Sequence, residues 1–63
     1  MKFYNHLANA IKLYGQLNRK LNLVEPESDT RNRILEAVNE FDNLVLTGKV
    51  DYKDWTQKNL YLL

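Results

Sequence analysis

The feature that most constrains this chain is an unbroken apolar stripe in its first 24 residues. Apolar residues recur there at alternating intervals of four and three positions, the spacing that places side chains on one face of a helix. The stripe therefore predicts a helix over about residues 2–23. Its members are Phe3, Leu7, Ala10, Tyr14, Leu17, Leu21 and Val24.

Further apolar residues widen this face beyond a two-position seam. Tyr4, Ala8, Ile11 and Leu13 lie beside the stripe. A wide apolar face is typical of a helix that packs against two neighbours. Glycine inside a helix is less favourable than alanine by about 1 kcal/mol. We expect Gly15 to offset this cost by permitting the close approach of another backbone.

A second helix is predicted over about residues 27–47. Pro26 disfavours helical geometry at Glu25 and suits the first turn of a new helix. Gly48 lies where a left-handed residue commonly ends a helix. The predicted inner face contains Ile34, Val38, Phe41 and Val45, flanked by Leu35, Ala37 and Leu44.

A short third helix is predicted over about residues 52–62. Asp51 is its expected N-cap, with Asp54 three positions later, and Val50 and Trp55 occupy the positions of a hydrophobic staple. We expect Trp55 to fold back toward the first two helices. The chain is thus predicted to be a single all-α domain over residues 1–63, a long antiparallel helical hairpin closed by a third helix into a small bundle.

The net charge of +1 hides a strong asymmetry. Residues 1–24 carry four basic residues and no acid, whereas the remainder carries five basic and eight acidic residues. Antiparallel pairing would bring the basic first helix against the acidic second one. Within the second helix, Glu27 with Arg31 and Asp29 with Arg33 have the spacing of favourable ion pairs.

Size and cysteine content bear on stability and compartment. A chain of 63 residues removes only about 60% of its surface from water on folding, so apolar burial and chain ordering nearly balance. A homodimer, forming a larger helical bundle, is therefore favoured over a monomer. With no cysteine, no leader-like segment and no apolar run of about 18 residues, the expected location is the cytoplasm, away from membranes.

The inventory for enzyme chemistry is thin. There are one histidine, one serine and no cysteine, and the two glycines are too far apart to form a phosphate loop. His6 is interpreted as a surface histidine, and Glu36 with Glu40 as a solvated, mutually repelling pair. We expect a protein that is not an enzyme and has no catalytic residue, cofactor, metal ion or small-molecule substrate.

The leading hypothesis is a non-enzymatic protein-interaction module. Such a protein would be a small regulator or inhibitor that binds a partner protein, of the kind that phages and other mobile elements encode. Aromatic and leucine side chains near the C-terminus are the candidate anchors, because such residues are typical of interfaces. The candidates are Trp55, Leu60, Tyr61 and Leu63.

The alternative hypothesis is a small DNA- or RNA-binding protein. A polar stripe without acids runs along the first helix opposite the apolar one, and its amide and basic side chains are those that contact phosphates and base edges. The low net charge and the absence of a helix-turn-helix spacing count against it. The stripe consists of Lys2, Asn5, Asn9, Lys12, Gln16 and Arg19.

Overall fold

The computed structural model describes the backbone of residues 2–63 and the side chains of residues 5–63. Helix α1 spans Lys2–Leu21, α2 spans Asp29–Thr47 and α3 spans Tyr52–Asn59, and a 3₁₀ turn at Leu60–Leu62 follows α3 directly. Each of the three α-helices contacts the other two. Residues 2–63 contain no β-strand. The predicted all-α three-helix bundle is confirmed, and it measures 38 × 20 × 16 Å.

Local side-chain and backbone chemistry fixes both ends of α2. The Ser28 hydroxyl accepts a hydrogen bond of 3.1 Å from the backbone N–H of Arg31, which pairs one of the free amides of the first turn. At the other end, Gly48 has a φ of 71°. The backbone amides of Gly48 and Lys49 donate to carbonyls of the last turn, as in a Schellman motif. The predicted glycine cap is confirmed.

The first turn of α2 differs slightly from the prediction. The helix begins at Asp29, so Glu27 lies in the preceding turn and its predicted ion pair with Arg31 is not formed among the described residues. The other predicted pair is present, with 3.4 Å between Arg33 Nε and Asp29 Oδ2. Both side chains are largely exposed, and such pairs contribute only a few tenths of a kcal/mol.

The start of α3 is placed as predicted, but its cap is weaker. Asp51 precedes the first helical residue, yet its side chain makes no capping hydrogen bond. Its ψ of 37° departs from the extended conformation of a typical N-cap residue. Val50 is exposed while Trp55 is buried, so the predicted hydrophobic staple buries little of Val50. The position of α3 therefore depends on its packing.

The buried face of α1 is turned relative to its heptad stripe. Ala10 and Leu17 of the stripe are fully buried, and Leu13 beside it is buried too, while Ile11 is more than half exposed. The prediction that Ile11 widens the apolar face is wrong, because α1 packs α2 and α3 on the side of Leu13. The side chains of Phe3 and Tyr4 lie outside the described residues.

The buried face of α2 is turned in a similar way. Ile34, Val38 and Phe41 are buried as predicted, but Ala37, expected at the flank, lies in the core. Val45 is 54% exposed, so its assignment to the inner face is wrong. The reason is that α3 covers the side of α2 that carries Ala37 and leaves the side of Val45 open.

Aromatic rings join the three helices around Phe41 of α2. The ring centroid of Phe41 lies 4.6 Å from that of Tyr14 on α1. It lies 5.9 Å from Tyr52 and 5.0 Å from Trp55, both on α3. The rings are tilted, the arrangement that their quadrupoles favour. The cluster thus contributes both apolar burial and ring contacts to the core.

Trp55 folds back onto the helical hairpin, as predicted. Its side chain is 1% exposed, and its indole Nε1–H donates a buried hydrogen bond of 2.9 Å to the carbonyl oxygen of Ala37. Burying an unpaired indole N–H would cost free energy, and this bond removes the cost. The methyl side chain of Ala37 leaves room for the indole to approach the α2 backbone.

Charges on α1 and α2 do not pair as expected from the asymmetry of the sequence. Among the described side chains, the polar contact between these helices is a hydrogen bond of 3.1 Å from the Tyr14 hydroxyl to Asp42 Oδ1. Within residues 5–63, an ion pair between helices links α2 to α3, with 3.0 Å between Lys58 Nζ and Glu40 Oε2. Lys12 and Arg19 of α1 are therefore exposed without an ion-pair partner among the described side chains.

The role predicted for Gly15 is also wrong. A Cβ atom placed on Gly15 would meet no described heavy atom within 4 Å, so no neighbouring backbone approaches it. Gly48 likewise has space around it, but its positive φ is one that L side chains rarely adopt. The two glycines thus lie in open surroundings and differ in backbone conformation.

Replacing Trp55 with phenylalanine is expected to lower the free energy of unfolding by about 2 kcal/mol, because the bond to Ala37 is lost and a small cavity forms. Urea denaturation followed by circular dichroism measures the change. The control is Leu46→Ala, at an exposed position, which should change stability by less than about 0.5 kcal/mol. Equal stability of the two variants would contradict the assigned role of the indole.

The two glycines should respond in opposite directions to the same substitution. Gly15→Ala is expected to raise the free energy of unfolding by about 0.5–1 kcal/mol, because alanine favours the helix. Gly48→Ala is expected to lower it by about 1 kcal/mol, because alanine disfavours the left-handed conformation. Thermal denaturation of both variants tests the pair, and a shift of the same sign in both would contradict the argument.

Candidate functional site

The 3₁₀ turn at the end of the described chain sends successive side chains in different directions. It is closed by a hydrogen bond of 3.1 Å from the Leu63 amide to the Leu60 carbonyl. Because a 3₁₀ helix has three residues per turn, Leu60 and Leu63 lie on the same side. Leu62 points into the core, whereas Tyr61 is exposed.

Leu60 and Leu63 line a hollow of about 400 Å³ between α1 and the C-terminal turn. They are 53% and 54% exposed, while the buried Leu13 contributes to the floor. We call this hollow the leucine groove. Its lining residues are Asn9, Lys12, Leu13 and Gln16 from α1, with Thr56, Leu60 and Leu63 opposite them.

Two smaller hollows continue the leucine groove. One, of about 220 Å³, shares Asn9 and Thr56 with it and adds Lys53. The other, of about 280 Å³, shares Lys12 with it and adds Arg19. None of the described side chains that line the three hollows carries a carboxylate. The groove therefore has an apolar floor, and the charged side chains that line it and the two adjoining hollows are basic: Lys12 in the groove, Lys53 and Arg19 beside it. We call these three residues the basic rim.

Lys20 holds the C-terminal wall of the groove against α1. Its ammonium group donates hydrogen bonds of 2.5 Å to the Leu62 carbonyl and 3.2 Å to the Leu63 carbonyl. Carbonyls at a helix end have no intrahelical partner and carry partial negative charge, so a lysine there is favourable. Together with the burial of Leu62, this contact fixes the position of the exposed leucines.

The other side of the C-terminal turn has a different chemistry. Tyr61 lines a polar hollow of about 470 Å³ with residues of α2, among them Arg33, Glu36 and Glu40. A hydrogen bond with Tyr61, followed by the charge of Asp29, raises the pKa of the Arg33 guanidinium. Glu40 binds Lys58, so one member of the pair interpreted as mutually repelling also has a cationic partner, while Glu36 is exposed.

The four predicted anchor residues do not form one surface. Trp55 lies in the core and has almost no surface to offer a partner. Tyr61 lies on the α2 side, and only Leu60 and Leu63 share a site. These four residues are close together in the sequence, but the docking of α3 directs their side chains to different parts of the structure.

Half of the predicted polar stripe meets the two leucines. Asn9, Lys12 and Gln16 line the leucine groove, and Arg19 lies in the adjoining hollow. Asn5 is exposed outside these hollows, and the side chain of Lys2 lies outside the described residues. The structure thus brings residues of both sequence hypotheses to a single surface.

Two contributors to this surface were not predicted. Lys53 reaches the rim from α3, and Lys20 bonds the C-terminal carbonyls. Both lysines are evident in the sequence. The groups that each of them meets depend on how α3 is oriented about its own axis. His6, interpreted as a surface histidine, is partly exposed beside Lys53.

Neither metal ligands, nor membrane-spanning helices, nor similarity to known proteins adds to the description of the site. Residues 5–63 contain no group of three or more side chains suited to hold a metal ion. No helix of the described chain has the length and apolarity needed to cross a bilayer. No protein-family model matches the sequence, and comparison with curated proteins and with solved structures gives no significant match.

Replacing Lys20 with methionine should loosen the C-terminal wall of the groove. The substitution keeps the length of the side chain but removes the bonds to Leu62 and Leu63, at an expected loss of about 1 kcal/mol in unfolding free energy. Hydrogen exchange at the Leu63 amide should accelerate. Lys49→Met, at an exposed lysine lining a hollow on the α2 side, is the control. Unchanged exchange at Leu63 in both variants would contradict the role of Lys20.

Proposed function

We propose that this chain is a non-enzymatic protein-interaction module, a small regulator or inhibitor that acts by binding a segment of a partner protein in the leucine groove. The observation that carries the proposal is the pair Leu60 and Leu63, both more than half exposed beside the floor residue Leu13. Exposed apolar side chains in a concave site with a polar rim are typical of interaction surfaces.

Leu60 and Leu63 lie in a turn that contacts with the core and with α1 hold in place. Leu62, between them in sequence, is buried in the core, and Lys20 bonds the adjacent carbonyls. A preorganised site loses less conformational entropy on binding than a flexible one. Covering the exposed parts of the two leucines would contribute about 2 kcal/mol, enough for a measurable effect on affinity.

Nucleic-acid binding is the second candidate, and the basic rim favours it. Lys12, Arg19 and Lys53 are exposed, and no described side chain lining the groove or its two adjoining hollows carries a carboxylate. The apolar floor and the exposed leucines would find no matching chemistry on a phosphate backbone. A protein partner can offer apolar side chains to the floor and acidic or polar side chains to the rim. For this reason we favour a protein partner.

The proposal predicts that groove-dependent binders can be selected from a displayed library of random peptides. Peptides are selected on the immobilised wild-type protein, and the affinity of individual peptides is then measured by fluorescence anisotropy. Replacing both Leu60 and Leu63 with serine should weaken binding at least about tenfold, because the apolar contacts are lost. Circular dichroism verifies that the variant remains folded, which we expect because both side chains are exposed.

Leu46→Ser is the matched control, because Leu46 is a more exposed leucine in α2. It should leave peptide affinity unchanged. Failure to select any peptide, or peptides that bind the double variant as well as the wild type, would overturn the proposal. Sedimentation equilibrium covers the homodimer predicted from the sequence: a dimer that the double substitution abolishes would assign the groove to a second copy of this chain.

A further inference from the structure

We infer that the segment bound in the leucine groove is an acidic amphipathic helix. The inference rests on the proposed function and adds the chemistry of the partner. It comes from the combination of an apolar floor with a rim whose charged side chains are all basic in the described residues. Neither feature alone specifies an occupant, but together they define which side chains a partner must carry on its two faces.

The dimensions of the surface suit a helix. From His6 to Arg19, the residues of α1 that border the hollows cover 14 positions, or roughly 20 Å at a rise of 1.5 Å per residue. A partner helix of about 14 residues would match that length. Helix-in-groove recognition uses apolar anchors one turn apart, and the exposed Leu60 and Leu63 would lie against such anchors.

The charges select the sign of the partner. Lys12 lines the groove from α1, Lys53 of α3 lines the hollow that adjoins it on one side, and Arg19 of α1 lines the other adjoining hollow. Lys20 is engaged by carbonyls of the chain itself. Carboxylates along the flanks of a bound helix would meet cations of both α1 and α3, whereas a basic helix would be repelled by both.

A second copy of this chain fits the groove less well. Its α1 carries part of the same basic rim, so pairing two α1 surfaces would place like charges together. Its acidic helix α2 exposes Glu36, Asn39 and Asn43. The exposed apolar residues of α2, Val45 and Leu46, are adjacent in sequence and so do not form a pair of anchors one turn apart. A foreign helix that combines carboxylates with such a pair is the better match.

The test uses three synthetic peptides of one length with the same leucine spacing on one face. Their remaining flanking positions are glutamate, glutamine or lysine. Binding to the full chain is measured at low salt by chemical-shift perturbation in ¹⁵N-labelled protein. The glutamate peptide should bind about tenfold more tightly than the glutamine peptide, the lysine peptide should be weakest, and the shifts should map to groove residues.

Charge reversal provides the decisive variant. The double variant Lys12→Glu, Lys53→Glu should reverse the order of the three peptides. Lys49→Glu makes the same kind of change outside the three hollows and should preserve the order. Both variants alter exposed side chains, and their amide spectra verify the fold.

The possible failures are distinguishable. Equal binding of the glutamate and glutamine peptides in the groove would overturn the acidic partner and leave the proposed function standing. Absence of groove shifts with all three peptides would contradict both. A random-sequence DNA duplex or single-stranded RNA that shifts the groove residues and displaces the glutamate peptide would overturn the inference in favour of nucleic acid.

Discussion

The hydrogen bond from the Trp55 indole to the Ala37 carbonyl determines how the third helix sits on the other two. A buried donor has to be paired, and the bond joins the side chain of α3 to one backbone position of α2. Together with the burial of Tyr52, Trp55 and Leu62, it holds α3 in one position along the hairpin and in one rotation. The direction of the C-terminal turn follows from that rotation, with Leu62 in the core. The leucine groove is thus a consequence of packing at the opposite side of α3.

Local features of the sequence were sufficient to predict the three helices. The heptad spacing, the Pro26 break and the Gly48 cap act within a few residues, so no tertiary information is needed to interpret them. Which face of each helix is buried was predicted less accurately. Val45, predicted in the inner face of α2, and Ile11, predicted to widen that of α1, are both exposed, because α3 covers one side of each helix and leaves the other open. The apolar periodicity of one helix gives no information about where another helix packs against it.

The candidate site shows the same limit more strongly. The exposed leucines and the polar stripe of α1 were each identified as candidate contact residues, but as competing hypotheses. Their meeting in one groove depends on the rotation of α3, which the buried Trp55 sets through a contact 18 positions away in sequence. Lys53 and Lys20 were missed for the same reason. Only tertiary packing places Lys53 beside the groove and brings Lys20 within bonding distance of the C-terminal carbonyls.

The separation of charge across a narrow molecule has a consequence for the approach of other molecules. The bundle is 20 Å by 16 Å in its two shorter dimensions, whereas the Debye length at physiological ionic strength is about 8 Å. A molecule arriving at the α1 side is therefore screened from most of the field of the carboxylates on α2. It experiences a local surface of positive potential on a protein whose formal net charge is only +1. The chain is close to neutral as a whole, but its permanent dipole lets it present one face before any contact is made.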